Sequence, residues 1–182
     1  MKALLIIDMQ KSVFSTPRHD KEGVTQRINN LASIIREDDG IVIYIQHNGT
    51  IQDDMNKGSK GWELIDELNM QHDDIKINKT ACDSFFKTDL ESVLKTNRVN
   101  NVIITGAVTE FCVDTTLRSC LSKEFDKVTL ISDGHTTGNR DHLNADLIIE
   151  HHNWMWSNLI IPDTNINIVK AVEFINEIKG VS

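Results

Sequence analysis

Little in this chain suits crosslinking, polyanion binding or membrane insertion. Its 182 residues include three cysteines, Cys82, Cys112 and Cys120, and no C-x-x-C pair. An odd, scattered set of thiols does not make a disulfide framework, so a reducing cytoplasm is the expected location. Cations are in deficit: 19 Lys and Arg face 27 Asp and Glu, a net charge of −8. Nucleic acid is held by clustered cations, so no nucleic-acid partner is expected. Long apolar runs are missing as well. The longest, Ala3 to Ile7, is far too short to span a bilayer, and no membrane association is expected. Met1-Lys2 runs straight into that segment with no small-residue cleavage site after it, which argues against a signal peptide. The only prolines, Pro17 and Pro162, read as loop residues, and no repeat, low-complexity tract or linker breaks the chain. Hydrophobic residues at 40% and charged residues at 25% are ordinary globular values, which excludes disorder, collagen and coiled coil. The length suits one domain, 1–182.

What is present alternates between two periodicities. Ala3–Ile7 is continuously apolar, as a strand buried on both faces must be. Val24, Ile28, Leu31 and Ile35 recur at spacings of four, three and four, marking a helix that ends near Gly40. Further strands are expected at Ile41–Ile45, around Ile75 and Ile77, and at Val102–Thr105, Val128–Ile131 and Leu159–Ile161. Helices are expected over Trp62–Leu68, after a capping box at Thr88 and Glu91, from about Glu110, over roughly Asp141–His152, and through Ile168, Val172, Ile175 and Ile178. Six short strands separated by helices predict a parallel sheet covered on both faces, a three-layer α/β/α fold. Ligands in such sheets bind beyond the carboxyl ends of the strands, where strand order reverses.

Three reactive side chains fall on that edge. Asp8 follows the first strand and Lys79 the third. Cys112 lies six residues after Gly106, in the first turn of the helix after the fourth strand. A thiol at a helix N-terminus meets unpaired N–H groups and the positive end of the helix dipole, and a nearby ammonium adds to this, so a thiolate is expected. A carboxylate can take the thiol proton and return it to a leaving amine. The glycine-led turn Gly106-Ala107-Val108-Thr109 offers a backbone N–H to join that of Cys112 as an oxyanion site. Taken singly, Asp8 reads as a loop or cap residue, Lys79 as a solvated lysine and Cys112 as a small buried hydrophobe. Their convergence on one edge is what points to catalysis.

The segment from Gly106 to Thr116, GAVTEFCVDTT, resembles the nucleophile motif of the isochorismatase-like cysteine hydrolase superfamily. Leu5-Ile6-Ile7-Asp8-Met9-Gln10 resembles its first-strand motif. Lys79, followed by Ser84-Phe85 and Thr88-Asp89-Leu90, resembles its lysine motif. Ser132 to Thr137 and His151-His152-Asn153 are also similar to the family. The resemblance implies a six-stranded parallel sheet in the Rossmann-like order 3-2-1-4-5-6 and a catalytic Asp8, Lys79 and Cys112. It implies a cis peptide at Ala107–Val108, with the N–H groups of Val108 and Cys112 forming the oxyanion hole. It further implies attack of Cys112 on a carbonyl, loss of ammonia or an amine, and hydrolysis of a thioester.

Metal-dependent nicotinamidases of the superfamily carry an Asp-x-His pair after the second strand. Here that stretch reads Gln46-His47-Asn48, without the carboxylate, and the next histidine is His72. No catalytic metal and no cofactor are therefore expected. The retained cysteine favours acyl chemistry on a C–N bond of a small molecule over vinyl-ether cleavage. Nicotinamidase, isochorismatase-type hydrolase and a catalytically silent binding protein on the same scaffold remain the alternatives. Phe14, His47, Phe86 and Phe111 are the candidate substrate-binding residues, Phe86 and Phe111 having packing beneath the loops as their duller role. Trp62 is placed as a lid or subunit contact. His135 is expected near the pocket rim, Cys82 as a small buried side chain, and Asp38-Asp39 and Asp73-Asp74 as solvated loops. The family implies a homo-oligomer.

Overall fold

The computed structural model describes residues 1–123, 125–162 and 164–181. In chain order the strands are β1 (Lys2–Ile7), β2 (Ile41–His47), β3 (Ile75–Lys79), β4 (Asn101–Ala107), β5 (Lys127–Thr136) and β6 (Asn165–Val169). The helices are α1 (Lys21–Glu37), α2 (Leu90–Thr96), α3 (Asp114–Leu121), α4 (Ala145–Ser157) and α5 (Ala171–Lys179). A π-helical turn, Thr109–Val113, leads directly into α3. All six strands pair in parallel, in the order β3-β2-β1-β4-β5-β6.

Strand alternation divides the core. Ala3, Leu5 and Ile7 face one layer, with Leu90 and Leu94 of α2, Leu117 and Leu121 of α3, and Trp156 of α4. Leu4 and Ile6 face the other, with Ile28, Leu31 and Ile35 of α1 and Phe174 of α5. Each such Leu or Ile contributes roughly 1.5–3 kcal/mol through burial. The central strands β1 and β4 are buried along both faces, which is why they are almost wholly apolar.

Several expectations are corrected. The sixth strand is Asn165–Val169, not Leu159–Ile161. Being an edge strand it pairs only with β5 and alternates polar Asn165 and Asn167 with half-buried Ile166 and Ile168. The more apolar Leu159 and Ile161 pack on the core from a loop, while Ile160 points into solvent. Ile168 accordingly belongs to β6, and the last helix starts at Ala171.

No helix forms over Trp62–Leu68. Lys11 N–H donates to Glu63 O at 2.8 Å and Ile65 N–H to Met9 O at 3.0 Å. The segment's backbone groups are thus engaged by the loop leaving β1 rather than by a helical ladder. The Thr88–Glu91 capping box is also not made. Thr88 donates to Ser84 O at 2.6 Å, and Glu91 pairs with Lys95 and Lys123. The fourth helix begins at Ala145 rather than Asp141, its first N–H capped by Asn139 Oδ1 at 2.9 Å. Asp74 is not solvated: Arg36 holds it in an ion pair at 2.6 Å.

β5 runs past Ile131 to Thr136. Its register against β4 slips between Ile104 and Gly106, so that His135 lies opposite Gly106 and Thr136 opposite Ala107. Gly106 is required at its position. Its φ is +117°, and a Cβ there would sit 2.2 Å from the carbonyl oxygen of Ile7. Among the described residues, no helix is long and apolar enough to cross a membrane.

Candidate active site

The carboxyl edge of the sheet gathers the three reactive side chains. At the end of β1 the backbone of Asp8 enters the left-handed region, with φ 49°, which Asp tolerates better than most residues. Its N–H donates to Ile45 O at 2.9 Å, which holds the turn against β2. Lys79 closes β3 opposite His47 of β2. Its Nζ donates to Asp8 Oδ2 at 2.7 Å and to Ala81 O at 3.0 Å. Asp8 is 3% and Lys79 1% exposed, so this is a dry ion pair and not a solvated lysine. The other carboxylate oxygen, Asp8 Oδ1, is buried without a hydrogen-bond partner among the described residues.

Cys112 sits half-buried on the π-helical turn after the cis peptide Ala107–Val108. Burial pulls the Lys79 ammonium down, but Asp8 and then Cys112 outweigh it, and the net shift is upward. Burial likewise pushes the Cys112 thiol up, the Asp8 carboxylate adds to this, and Lys79 offsets only part. These shifts run against the thiolate expected from the helix N-terminus and favour a thiol beside a carboxylate able to take its proton. Cys82 is corrected as well, being exposed, whereas Cys120 is buried as expected. Iodoacetamide at neutral pH is expected to label Cys82 first, Cys112 slowly and Cys120 last, with Cys112 accelerating as pH rises. Peptide mapping by mass spectrometry reads the order, and Cys112 reacting ahead of Cys82 would refute the assignment of its resting form.

His47 lies beside this trio. Burial and the Lys79 charge lower its pKa, and its Nδ1 is buried without a partner among the described residues. Among the described residues, no three His, Cys, Asp or Glu side chains lie close enough to hold a metal ion. The aromatic candidates are dispersed. Phe111, on the nucleophile turn, is 52% exposed and lies under the Arg140 guanidinium, 5.7 Å from ring centre to cation. Phe86 is 51% exposed, so neither ring packs beneath the loops. Phe14 is half-buried against the α1 layer, close to Lys21.

Two supports escaped the sequence reading. The Gln10 amide donates to the carbonyls of His47 and Trp62 at 3.1 and 2.9 Å and accepts from His47 N–H at 2.7 Å. It ties β2 and the Trp62 segment to the β1 exit. Trp62 is held further by its own indole N–H, which donates to Asn48 Oδ1 at 2.8 Å. Gln10 lies inside the first-strand motif, the one signal that marked it.

The second support is His135, fully buried rather than at the rim. Asn153 Nδ2 donates to Ser132 O at 2.9 Å, which leaves its Oδ1 to accept from His135 Nε2–H at 3.1 Å. His135 Nδ1 is then free to accept from the Thr109 hydroxyl at 2.9 Å. The chain of bonds fixes the start of the Cys112 turn. Burial lowers the His135 pKa to about 4 from 6.5. A depressed histidine stabilises fully above its unfolded pKa and progressively less as pH falls through the folded one. The unfolding free energy from urea titrations should therefore fall between pH 6.5 and 4, by about 3 kcal/mol at the acid end. His135→Gln should flatten that dependence; an unchanged slope would show that another group carries it.

Residues 2–152 match the isochorismatase domain family. An isochorismatase family protein of Bacillus subtilis, YrdC, is 33% identical over 135 residues, 72% of each chain. A ureidoacrylate amidohydrolase of Caulobacter vibrioides, RutB, is 34% identical over 82 residues, 45% of this chain and 36% of its own length. The crystal structure of another isochorismatase family protein superposes with a TM-score of 0.84 at 29% identity, over 93% of this chain and 98% of that one. The six-stranded parallel sheet, its strand order and the near full-length family match agree, and this chain is a hydrolase belonging to the isochorismatase family.

Proposed function

We propose that this hydrolase opens a C–N bond in a small amide, ureide or lactam through a thioester on Cys112, without a metal ion. The observation that carries the reading is the dry Asp8–Lys79 pair, 2.7 Å apart, set against the Cys112 sulfur. As the substrate carbonyl arrives, Asp8 Oδ1 takes the thiol proton and Sγ bonds to the carbonyl carbon. The developing oxyanion accepts from the N–H groups of Val108 and Cys112. Collapse breaks the C–N bond, and Asp8 returns the proton to the departing nitrogen. Water then attacks the thioester, again giving a proton to Asp8. The acid departs and Sγ regains its hydrogen. Lys79 holds the Asp8 carboxyl in place throughout.

The likeness to a ureidoacrylate amidohydrolase supports a ureide or amide over an ether. The proposal places the enzyme in the cytoplasm, where its three free thiols stay reduced. The test is turnover of small amides (nicotinamide among them) and ureides, read as ammonia release, and of lactams, read as the ring-opened amino acid, with and without EDTA. Turnover of at least one class at an unchanged rate in EDTA is expected. No turnover across the panel would leave a binding protein, and loss in EDTA restored by zinc would refute the metal-free mechanism.

A further inference from the structure

We propose that Cys82 is an oxidation site for hydrogen peroxide, and that its oxidised sulfur is captured by Cys112 as a reversible Cys82–Cys112 disulfide. The link stands on where the chain places the two thiols; its effect on turnover rests on the Cys112 reading above. Cys82 is exposed and Cys112 half-buried, so one thiol meets an oxidant in solution and the other faces the triad. Cys120 is enclosed in the core two helical turns beyond Cys112, on the order of 12 Å along the axis, and is out of the exchange.

The loop that carries Cys82 is fastened to both flanks of Cys112. On one flank, Lys79 Nζ of the triad donates to Ala81 O at 3.0 Å. On the other, the Cys82 carbonyl accepts from the Thr116 hydroxyl at 3.4 Å. Thr116 lies four residues past Cys112. Ser84 N–H donates to the same Thr116 oxygen at 3.2 Å, and the Ser119 hydroxyl donates to Asp83 Oδ2 at 2.6 Å. Residues 81 to 84 are thus each tied to the triad lysine or to α3, while the Cys82 thiol itself stays in solvent. Positions four apart on a helix have Cβ atoms about 5–6 Å apart, so a peptide held against Thr116 lies about one turn from Cys112. A disulfide spans Cα separations of about 4.4–6.8 Å, which is the scale of that gap. The thiols also sense one another: after burial and Asp8, Cys82 adds to the upward push on the Cys112 thiol.

The chemistry closes with the groups already present. The Cys82 thiolate attacks one peroxide oxygen; an S–O bond forms, the O–O bond breaks, and hydroxide leaves and is protonated to water. Cys112 then gives its proton to Asp8 Oδ1 as its Sγ attacks the Cys82 sulfur. The S–S bond forms, the S–O bond breaks, and the departing hydroxide takes that proton as a second water. Two thiols lose two electrons to one peroxide. The nucleophile is then covered, protected from further oxidation and released by a dithiol reductant.

The test treats the full chain with hydrogen peroxide at neutral pH, blocks the remaining thiols with N-ethylmaleimide and maps the peptides by mass spectrometry. A linked Cys82–Cys112 peptide is expected within one chain, two hydrogens lighter than the separate peptides and absent after dithiothreitol, with Cys120 still alkylated. In Cys112→Ser, Cys82 should stop at the sulfenic acid and be trapped by dimedone. In Cys82→Ser, whose exposed position leaves the fold alone, peroxide should oxidise Cys112 at least about tenfold more slowly, and dithiothreitol should no longer reverse the product. A Cys82 sulfenic acid that persists in the unsubstituted protein would overturn the proposal. So would Cys82–Cys82 links between chains, no modification of Cys82, or Cys112 oxidation at an unchanged rate in Cys82→Ser. Turnover of the amide or ureide found above should disappear with the linked peptide and return with dithiothreitol. Full turnover by the linked protein would sink the Cys112 reading and leave the disulfide standing; turnover lost on Cys112→Ala with no linked peptide after peroxide would do the reverse.

Discussion

Replacing Cys112 by alanine is expected to lower kcat/KM for ammonia release by at least about 10⁴-fold, or about 5 kcal/mol of transition-state stabilisation. The sulfur is the atom that bonds to carbon in the proposed reaction, and no neighbouring group replaces it. Cys82 is exposed and Cys120 lies in the core. The dry Asp8–Lys79 pair would remain, since Cys112 is half-buried and contributes to neither of its hydrogen bonds. Folding stability should therefore move by no more than about 1 kcal/mol. The two readouts together make the result decisive: a folded, inactive variant supports the thioester, and retained turnover removes it. Asp8→Asn would also stop proton transfer, but it strands a buried ammonium, so its loss of activity mixes chemistry with destabilisation.

Lys79→Met should have the largest effect on stability. It leaves the Asp8 carboxylate 3% exposed and without its cation. Removing one partner of a buried pair typically costs about 3–5 kcal/mol, which for a chain of this size is roughly a 10 °C fall in melting temperature. Combining it with Asp8→Asn removes the uncompensated charge and should recover much of that loss, giving a coupling of several kcal/mol in a double-mutant cycle. Additive losses would mean that the pair contributes nothing as a pair. The pH dependence has a definite sign. Lys79 is shifted up from 10.5, so its contribution is complete below that value and fades as pH rises through the higher folded pKa. Cys112, also shifted up, from 9.0, adds alkaline sensitivity in the same direction. Unfolding in alkali should be steeper for the unsubstituted protein than for Lys79→Met.

The legible parts of this fold share a cause. β1, β2 and β4 lie inside the sheet, and double-sided burial writes them as short runs rich in Val, Ile and Leu. α1 lies across one face, and its apolar stripe is equally direct. The edge strand β6 was displaced because one-sided pairing leaves it polar and alternating, while a nearby apolar loop imitates a strand. The Trp62 segment has helical spacing, but hydrogen bonds to residues some fifty positions earlier claim its backbone. Only the assembled chain brings those donors near.

For the site, the sequence alone determined which side chains stand at the carboxyl edge. Strand ends can be read locally, and parallel topology then sets Asp8, Lys79 and Cys112 on one rim without knowledge of any contact. The tertiary structure decided how those groups behave. The proton on Cys112 depends on burial and on a carboxylate more than a hundred residues away, and the neutrality of His135 on complete enclosure. Local pattern records which face of an element is covered. It does not record desolvation or the balance among charges that meet only after folding, and those set protonation and the choice of ligand.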